Sequence, residues 1–279
     1  MRPTGSARIG PKKVRPPLLR NMPASLRRIT FARAARIAGY NWPLYAAAGV
    51  GILVGLVLAS FPGMPPLVRW LGGSGAAVAG WFACASFWAF HWMFDRSALL
   101  GGEWLKEELP QAPVRWVQIN VGLEETTLPL EEVFPGAEGK MLDLFNPAIM
   151  TEPAVTRARQ QQSDVAPVFV QPESLPVEDG WAELVVVTLA AHEIRNSQKR
   201  ERFFQELRRI VSPAGRVVVV EHLRDLAAAL AFGPGIFHFF SRGEWLRLGS
   251  RAGLEVARER RITPFVRVFV YRCKLSADA

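Results

Sequence analysis

Acid is missing from the first third of the chain. No Asp or Glu precedes Asp95, while eleven of the 34 Lys and Arg residues do. The other 23 basic residues face all 25 acidic ones, so residues 95–279 carry about −2 and the formal +9 belongs to the N-terminal arm. This argues against a nucleic-acid footprint on the globular part, because such a surface is itself basic. Cysteine is nearly absent: Cys84 and Cys273 are far apart, which excludes a disulfide scaffold and a cysteine-rich metal site. Histidine is limited to four residues, and HEIRN (192–196) has Asn196 where an H-E-x-x-H zinc motif has its second histidine, so no metal is expected. Glycine is short where a nucleotide cradle would need it. The stretch VRWVQINVGLEETTLPL (114–130) runs from a strand-like segment into an acidic one through a single glycine, Gly122.

Two long apolar runs are present. WPLYAAAGVGILVGLVLASF (42–61) and GAAVAGWFACASFWAFHWMF (75–94) have no formal charge, and each is long enough to cross about 30 Å of hydrocarbon as a helix. PGMPPLVRWLGGS (62–74) reads as the turn between them, and Trp42, Tyr45, Trp70 and Trp92 sit near the run ends, where aromatic residues favour the lipid–water boundary. A signal peptide would have a shorter core and no second run. The basic arm places the N-terminus on the cytoplasmic side, and a two-helix hairpin returns the chain there by about Asp95. SLRRITFARAARIAGY (25–40) reads as a basic amphipathic segment suited to anionic lipid. His91, near the end of the second run, reads as interfacial.

From residue 115 on, apolar β-branched runs alternate with helical patterns, as in a parallel sheet covered by helices. Strands are expected at 115–121, 140–145, 166–171, 182–190 and 216–223. Helices are expected at 124–134, 151–162 (capped by Thr151), 197–211 and 241–253. LEVARERRIT and FVRVFVYRC close the chain as an antiparallel hairpin turning near Pro264.

This order, with ESLPVEDGWAELVVVTLAAHEI and ELRRIVSPAGRVVVVEH, resembles the class I S-adenosylmethionine-dependent methyltransferases over about 115–273. The AAHEIR, EHLRD and HFFSR series also resembles a membrane-associated bacterial group within them. The resemblance implies an α/β fold: a Rossmann-like, mostly parallel seven-stranded sheet with a terminal antiparallel hairpin, here following the transmembrane hairpin. The expected organisation is a basic arm (1–41), the hairpin (42–94), a linker (95–114) and the methyltransferase-like domain (115–279).

Ligands of open α/β sheets sit beyond the carboxyl ends of the strands, near the switch in strand order. Candidate cofactor residues are therefore Asn120, Gly122, Glu124, Asp143, Glu173 (with Ser174) and Ala190. The resemblance gives Gly122 the methionine part of S-adenosylmethionine, Asp143 the ribose hydroxyls and Glu173 the adenine, although the last also reads as a solvated loop. Leu123 and Glu124 stand where the family usually has further glycines. His192 and Glu193 end the fourth strand and Glu221 and His222 the fifth. They are the candidate catalytic residues, with histidine able to take a proton near neutral pH. Arg195, Arg224 and His238 are candidate acceptor contacts, and Asp225 is a helix cap. An ion-paired wall explains the same residues as well.

The expected function is methyl transfer from S-adenosylmethionine to a small or lipid-like acceptor at the cytoplasmic face of the inner membrane, with the bilayer as partner. The alternative is an inactive methyltransferase fold serving as a membrane-tethered interaction module. A nicotinamide oxidoreductase is disfavoured, since it wants G-x-G-x-x-G after the first strand.

Overall fold

The computed structural model describes residues 30–147, 150, 152–161 and 168–274. Most of the basic arm and the expected cap Thr151 lie outside them.

After a short helix α1 (Ala32–Tyr40), the first apolar run forms α2 (Trp42–Ser60) and the second forms α3 (Pro66–Phe90). The expected turn at 62–74 is in fact much shorter. Pro66 opens α3 at its first position, where a missing N–H costs nothing and the fixed φ suits a helix, so Arg69 lies within α3. Arg69 donates to Ala59 O at 2.9 Å. α2 and α3 pack through small residues: a Cβ on Gly55 would stand 2.5 Å from Gly72 O, and one on Gly72 would stand 2.7 Å from Gly55 O. Both helices are long and apolar enough to cross a membrane, and α2 is almost wholly unburied.

Residues beyond α3 pack into the rest of the chain. A π-type turn (His91–Arg96) leads to two short 3-10 turns, Leu99–Gly101 and Glu103–Glu107. Leu99, Trp104 and Leu105 are buried there, sharing one core with Met93 and Phe94. Asp95 accepts from the backbone N–H groups of Arg33 and Ala34 and so ties down the start of α1. His91 is buried, 3.2 Å from Asp95 and stacked on Phe31.

The sheet has the order β3-β2-β1-β4-β5-β7-β6. β1 (Arg115–Asn120), β2 (Glu138–Asp143), β4 (Ala182–Thr188) and β5 (Val211–His222) run parallel, while β6 (Leu254–Thr263) and β7 (Val266–Cys273) form the antiparallel hairpin. The third strand shrinks to a two-residue edge stub, β3 (Val168–Phe169), so six strands carry the sheet. β4 is buried on both faces, as its unbroken Val-rich run requires. β5 starts earlier than expected: SPAG, which reads as a turn, is part of an irregular strand start beside Ala182. The segment 124–134 forms only a 3-10 turn (Glu124–Thr126) and one helical turn, α4 (Leu130–Val133), because Pro129 interrupts it.

Successive residues of each strand face opposite sides, so there are two cores. Val117, Ile119, Val185, Val187, Val217 and Val219 face α6 (Ser197–Ile210) and α8 (Arg242–Arg251), while Leu184, Val186, Val218 and Val220 face the end of α3. α6 presents Phe203, Phe204, Leu207 and Ile210 at helical spacing, all fully buried, each contributing about 1.5–3 kcal/mol of transfer free energy. Its N-cap Asn196 accepts from Lys199 N–H. α5 (Pro153–Gln161) covers the β2 end. A helix not foreseen in the sequence, α7 (Leu226–Phe232), is capped by Asp225 and leads into a 3-10 turn, Gly233–His238. Trp81 of α3 donates to Leu230 O at 2.9 Å, and the Phe90 and Phe232 rings meet at 5.8 Å, so α7 is fastened to the apolar hairpin.

Candidate active site

The parallel strands present their carboxyl ends along one edge, and strand order reverses between β1 and β4. Two different sites flank that switch.

The first lies at β1 and β2. Asn120 ends β1, and its Oδ1 accepts from Gly122 N–H (2.8 Å) while its Nδ2 donates to Thr127 Oγ1 (3.0 Å). The side chain is thus spent on shaping the loop. Gly122 adopts a φ of +69°, and a Cβ there would collide with the Arg159 guanidinium and the Asp143 carboxylate. Asp143 is almost fully buried at the end of β2. Its Oδ1 accepts from Phe145 N–H at 2.8 Å, while Oδ2 lies 2.7 Å from Arg159 Nη1. That nitrogen also donates to Val121 O (2.6 Å), and its approach to Oδ2 is a short ion pair that lacks hydrogen-bond alignment. Burial pushes the Asp143 carboxyl above its ordinary value, and the Phe145 N–H and Arg159 only partly oppose this. Arg159, on α5, was not foreseen. Its guanidinium also stacks on Phe145 and fills the space between Gly122 and Asp143.

Two other expected cofactor residues stand apart from this cradle. Glu124 is largely exposed and pairs with Arg36 at 3.1 Å. Glu173 pairs with Lys199 at 2.6 Å, on an open surface groove lined also by Asn196, Gln198 and Arg202.

The second site lies at β4 and β5. Leu189 has a φ of +48°, a left-handed conformation that costs a non-glycine residue roughly 1–3 kcal/mol. What holds it is Glu221, which has no exposure at all. Glu221 Oε1 accepts from the N–H groups of Ala190 (3.1 Å), Ala191 (2.8 Å) and His192 (3.3 Å). Its Oε2 lies 2.6 Å from His192 Nδ1. Ala190 therefore serves this site through its backbone. His192 Nε2 is 3.4 Å from Glu193 Oε1, and His238 Nε2 approaches the same oxygen at 3.3 Å. Burial opposes charge on His192, but Glu221 and Glu193 outweigh it and hold its pKa at about 10. Against the sequence expectation, His192 is then an imidazolium at neutral pH and has no lone pair for another proton. Burial also works against ionised Glu193, yet the His192 and His238 rings hold its carboxyl well below the usual range. His222 is neutral: burial, with help from His192, pushes it down to about 4, and its Nδ1 faces Phe265 O at 3.0 Å.

The roof is the segment 237–240. Arg195 Nη1 donates to His238 O (2.6 Å) and Arg224 Nε to Phe239 O (2.8 Å), so the two arginines expected to touch an acceptor clamp the roof backbone instead. The Phe239 ring packs 4.8 Å from His222 and 5.9 Å from His192. Neither its position nor that of Leu189 has a signature in the sequence.

A parallel sheet with this switch point, an acid at the tip of its second strand and an antiparallel closing pair defines a Rossmann-like methyltransferase fold. Residues 142–219 match a family model described as a methyltransferase domain. The sheet order and this match support a class I S-adenosylmethionine-dependent methyltransferase domain, a class whose cofactor is S-adenosylmethionine. The chain is 30% identical over 115 residues to a demethylmenaquinone methyltransferase of Thermus thermophilus, a match covering 40% of this chain and 49% of that protein. It thus spans about half the length of the curated relative it matches. Among solved structures, a SAM-dependent methyltransferase from Aquifex aeolicus aligns with a TM-score of 0.47 and 16% identity over 62% of this chain and 90% of that one. A SAM-dependent methyltransferase from Methanosarcina mazei gives 0.45 and 18% over 61% and 96%.

Proposed function

We propose that the chain is a membrane-anchored methyltransferase whose acceptor is drawn from the bilayer at the cytoplasmic face. One observation carries this reading: the roof over the histidines is the continuation of α7, and α7 is fastened to the apolar hairpin through Trp81 and Phe90. Leu226, Leu230 and Phe237 of that same segment are exposed, so an apolar surface leads from the hairpin towards His238. The acid-free, basic N-terminal arm supports the cytoplasmic side.

S-adenosylmethionine fits the first site on two counts. Asp143 Oδ2 is a buried acceptor without an aligned donor, which ribose hydroxyls would supply, and Gly122 leaves room where any side chain would intrude. Arg159 has to swing aside for this. The bound cofactor supplies an electrophilic methyl group for in-line displacement. The chain contributes alignment and proton handling. Glu221 fixes the 189–192 turn and His192, and His192 in turn orients Glu193. His238, partly open to solvent, takes the acceptor's proton with Glu193 as its partner. Phe239 excludes water. Glu221 and His192 act here as positioning residues.

The test is transfer of radiolabelled methyl from S-adenosylmethionine into the organic-soluble fraction of membranes that contain the full chain. Label should enter that fraction and fall at least a hundredfold with His238→Ala, a loss of about 2.7 kcal/mol in transition-state binding. Label equal to that of membranes without the protein would refute the reading. Alkaline carbonate should leave the chain in the membrane pellet. A second reading, an inactive fold serving as a tethered interaction module, is favoured by Arg159 filling the ribose side of the cleft.

A further inference from the structure

We propose that His192 Nε2, His238 Nε2 and Glu193 Oε1 form a binding site for one divalent transition-metal ion of zinc type. The H-E-x-x-H pattern fails in sequence because position 196 is Asn, but the fold brings a second histidine, His238, 45 positions beyond Glu193, to the same carboxylate. The three ligand atoms lie within 4.8 Å of one another. The two nitrogen–oxygen separations are 3.4 and 3.3 Å. Ligands about 2.0–2.1 Å from a tetrahedral ion stand about 3.3–3.4 Å apart, so both gaps match the span across such an ion.

An outer contact agrees. A metal-bound histidine usually gives its second ring nitrogen to a carboxylate, which fixes the tautomer. His192 Nδ1 meets Glu221 Oε2 at 2.6 Å, whereas His238 Nδ1 and Glu152 Oε2, at 4.0 Å, are beyond hydrogen-bond distance, so the outer contact that carries weight is that of His192. With Nδ1 bound to Glu221, the Nε2 of His192 is the atom aimed at Glu193. Between that nitrogen and the carboxylate oxygen there is room for a proton or a metal ion, and the convergence of a second imidazole on the same oxygen suits the ion. His192 and Glu193 are buried while His238 is partly exposed, which gives a route for entry. Two imidazoles and one carboxylate leave a fourth position open for water or for an acceptor hydroxyl, whose acidity the ion would raise. Loading the ion displaces the Nε2 proton of His192 and replaces the proton-accepting role of His238, so the ion-bound and proton-accepting states exclude each other, and the site stands whether or not methyl transfer is the reaction.

The experiment uses the untagged full chain in detergent, stripped with chelator, reloaded with Zn2+ and freed of excess ion, with bound metal measured by atomic emission. About one zinc per chain is expected for the wild type. His238→Ala and Glu193→Gln should each lose it while keeping the wild-type circular dichroism spectrum. Glu221→Gln should weaken binding by about 10–100-fold. Co2+ loaded in the same way should give the intense visible absorption of a four-coordinate site in the wild type. A wild type that retains no zinc and shows no cobalt band would overturn the proposal. So would variants that bind zinc as the wild type does.

Discussion

Two sites on one sheet edge are built in opposite ways. The β1–β2 site is sparse: one glycine, one buried carboxylate with an oxygen that is ion-paired but lacks an aligned donor, and an arginine lying across both. The β4–β5 site is dense, with two carboxylates and three histidines whose contacts are nearly all within the group. The first holds its shape through backbone conformation and leaves bonding capacity to spare. The second spends its capacity internally and is rigid before any ligand arrives. A site of the first kind selects its ligand by what must be displaced, and one of the second kind by what it already holds in place.

The largest effect should come from the dense site. Glu221→Ala removes the acceptor of three backbone N–H groups and leaves the buried His192 charge without its nearest partner, a cost of about 3–5 kcal/mol. The expected outcome is a clearly lower unfolding midpoint and lost turnover, and an unchanged midpoint would show that the network is not rigid. Next, Gly122→Val forces a β-branched residue into a positive φ and into Arg159, costing about 1–3 kcal/mol and removing cofactor binding. Thermal unfolding and equilibrium dialysis would read the two parts separately. Arg159→Ala should do the reverse for affinity, tightening cofactor binding about tenfold, or ~1.4 kcal/mol, because nothing then has to leave the cradle. Weaker binding would mean that Arg159 holds the ligand rather than excluding it. The smallest effect belongs to Trp81→Phe, which loses the bond to Leu230 O, about 1 kcal/mol. Cofactor affinity should be unchanged, and transfer to a membrane acceptor should fall modestly.

The contrast also explains what the sequence could reveal. β4, α6, α8 and the β6–β7 hairpin were legible because their apolar patterns run long enough to display a period. The start of α3 was hidden because prolines that open a helix look, in one dimension, like prolines that make a turn. α7 was missed because LAAALAF carries no amphipathic period, being apolar on every side. Glu221, His192, Glu193 and His238 were legible as ionisable residues at strand ends and in a loop. Their roles were not, since it takes the Leu189 turn to aim three N–H groups at Glu221 and so exhaust it. Arg159 sits in an ordinary polar helix, TRARQQ, and only the crossing of α5 over β2 brings it to Asp143.

The central claim is that the sparse site is a cofactor cradle centred on Asp143. It is tested most directly by calorimetric titration of the full chain in detergent with S-adenosylmethionine, for the wild type, Asp143→Asn and Arg159→Ala. The account predicts micromolar binding in the wild type, at least tenfold weaker binding in Asp143→Asn and tighter binding in Arg159→Ala. No heat at millimolar ligand in both the wild type and Arg159→Ala would contradict it.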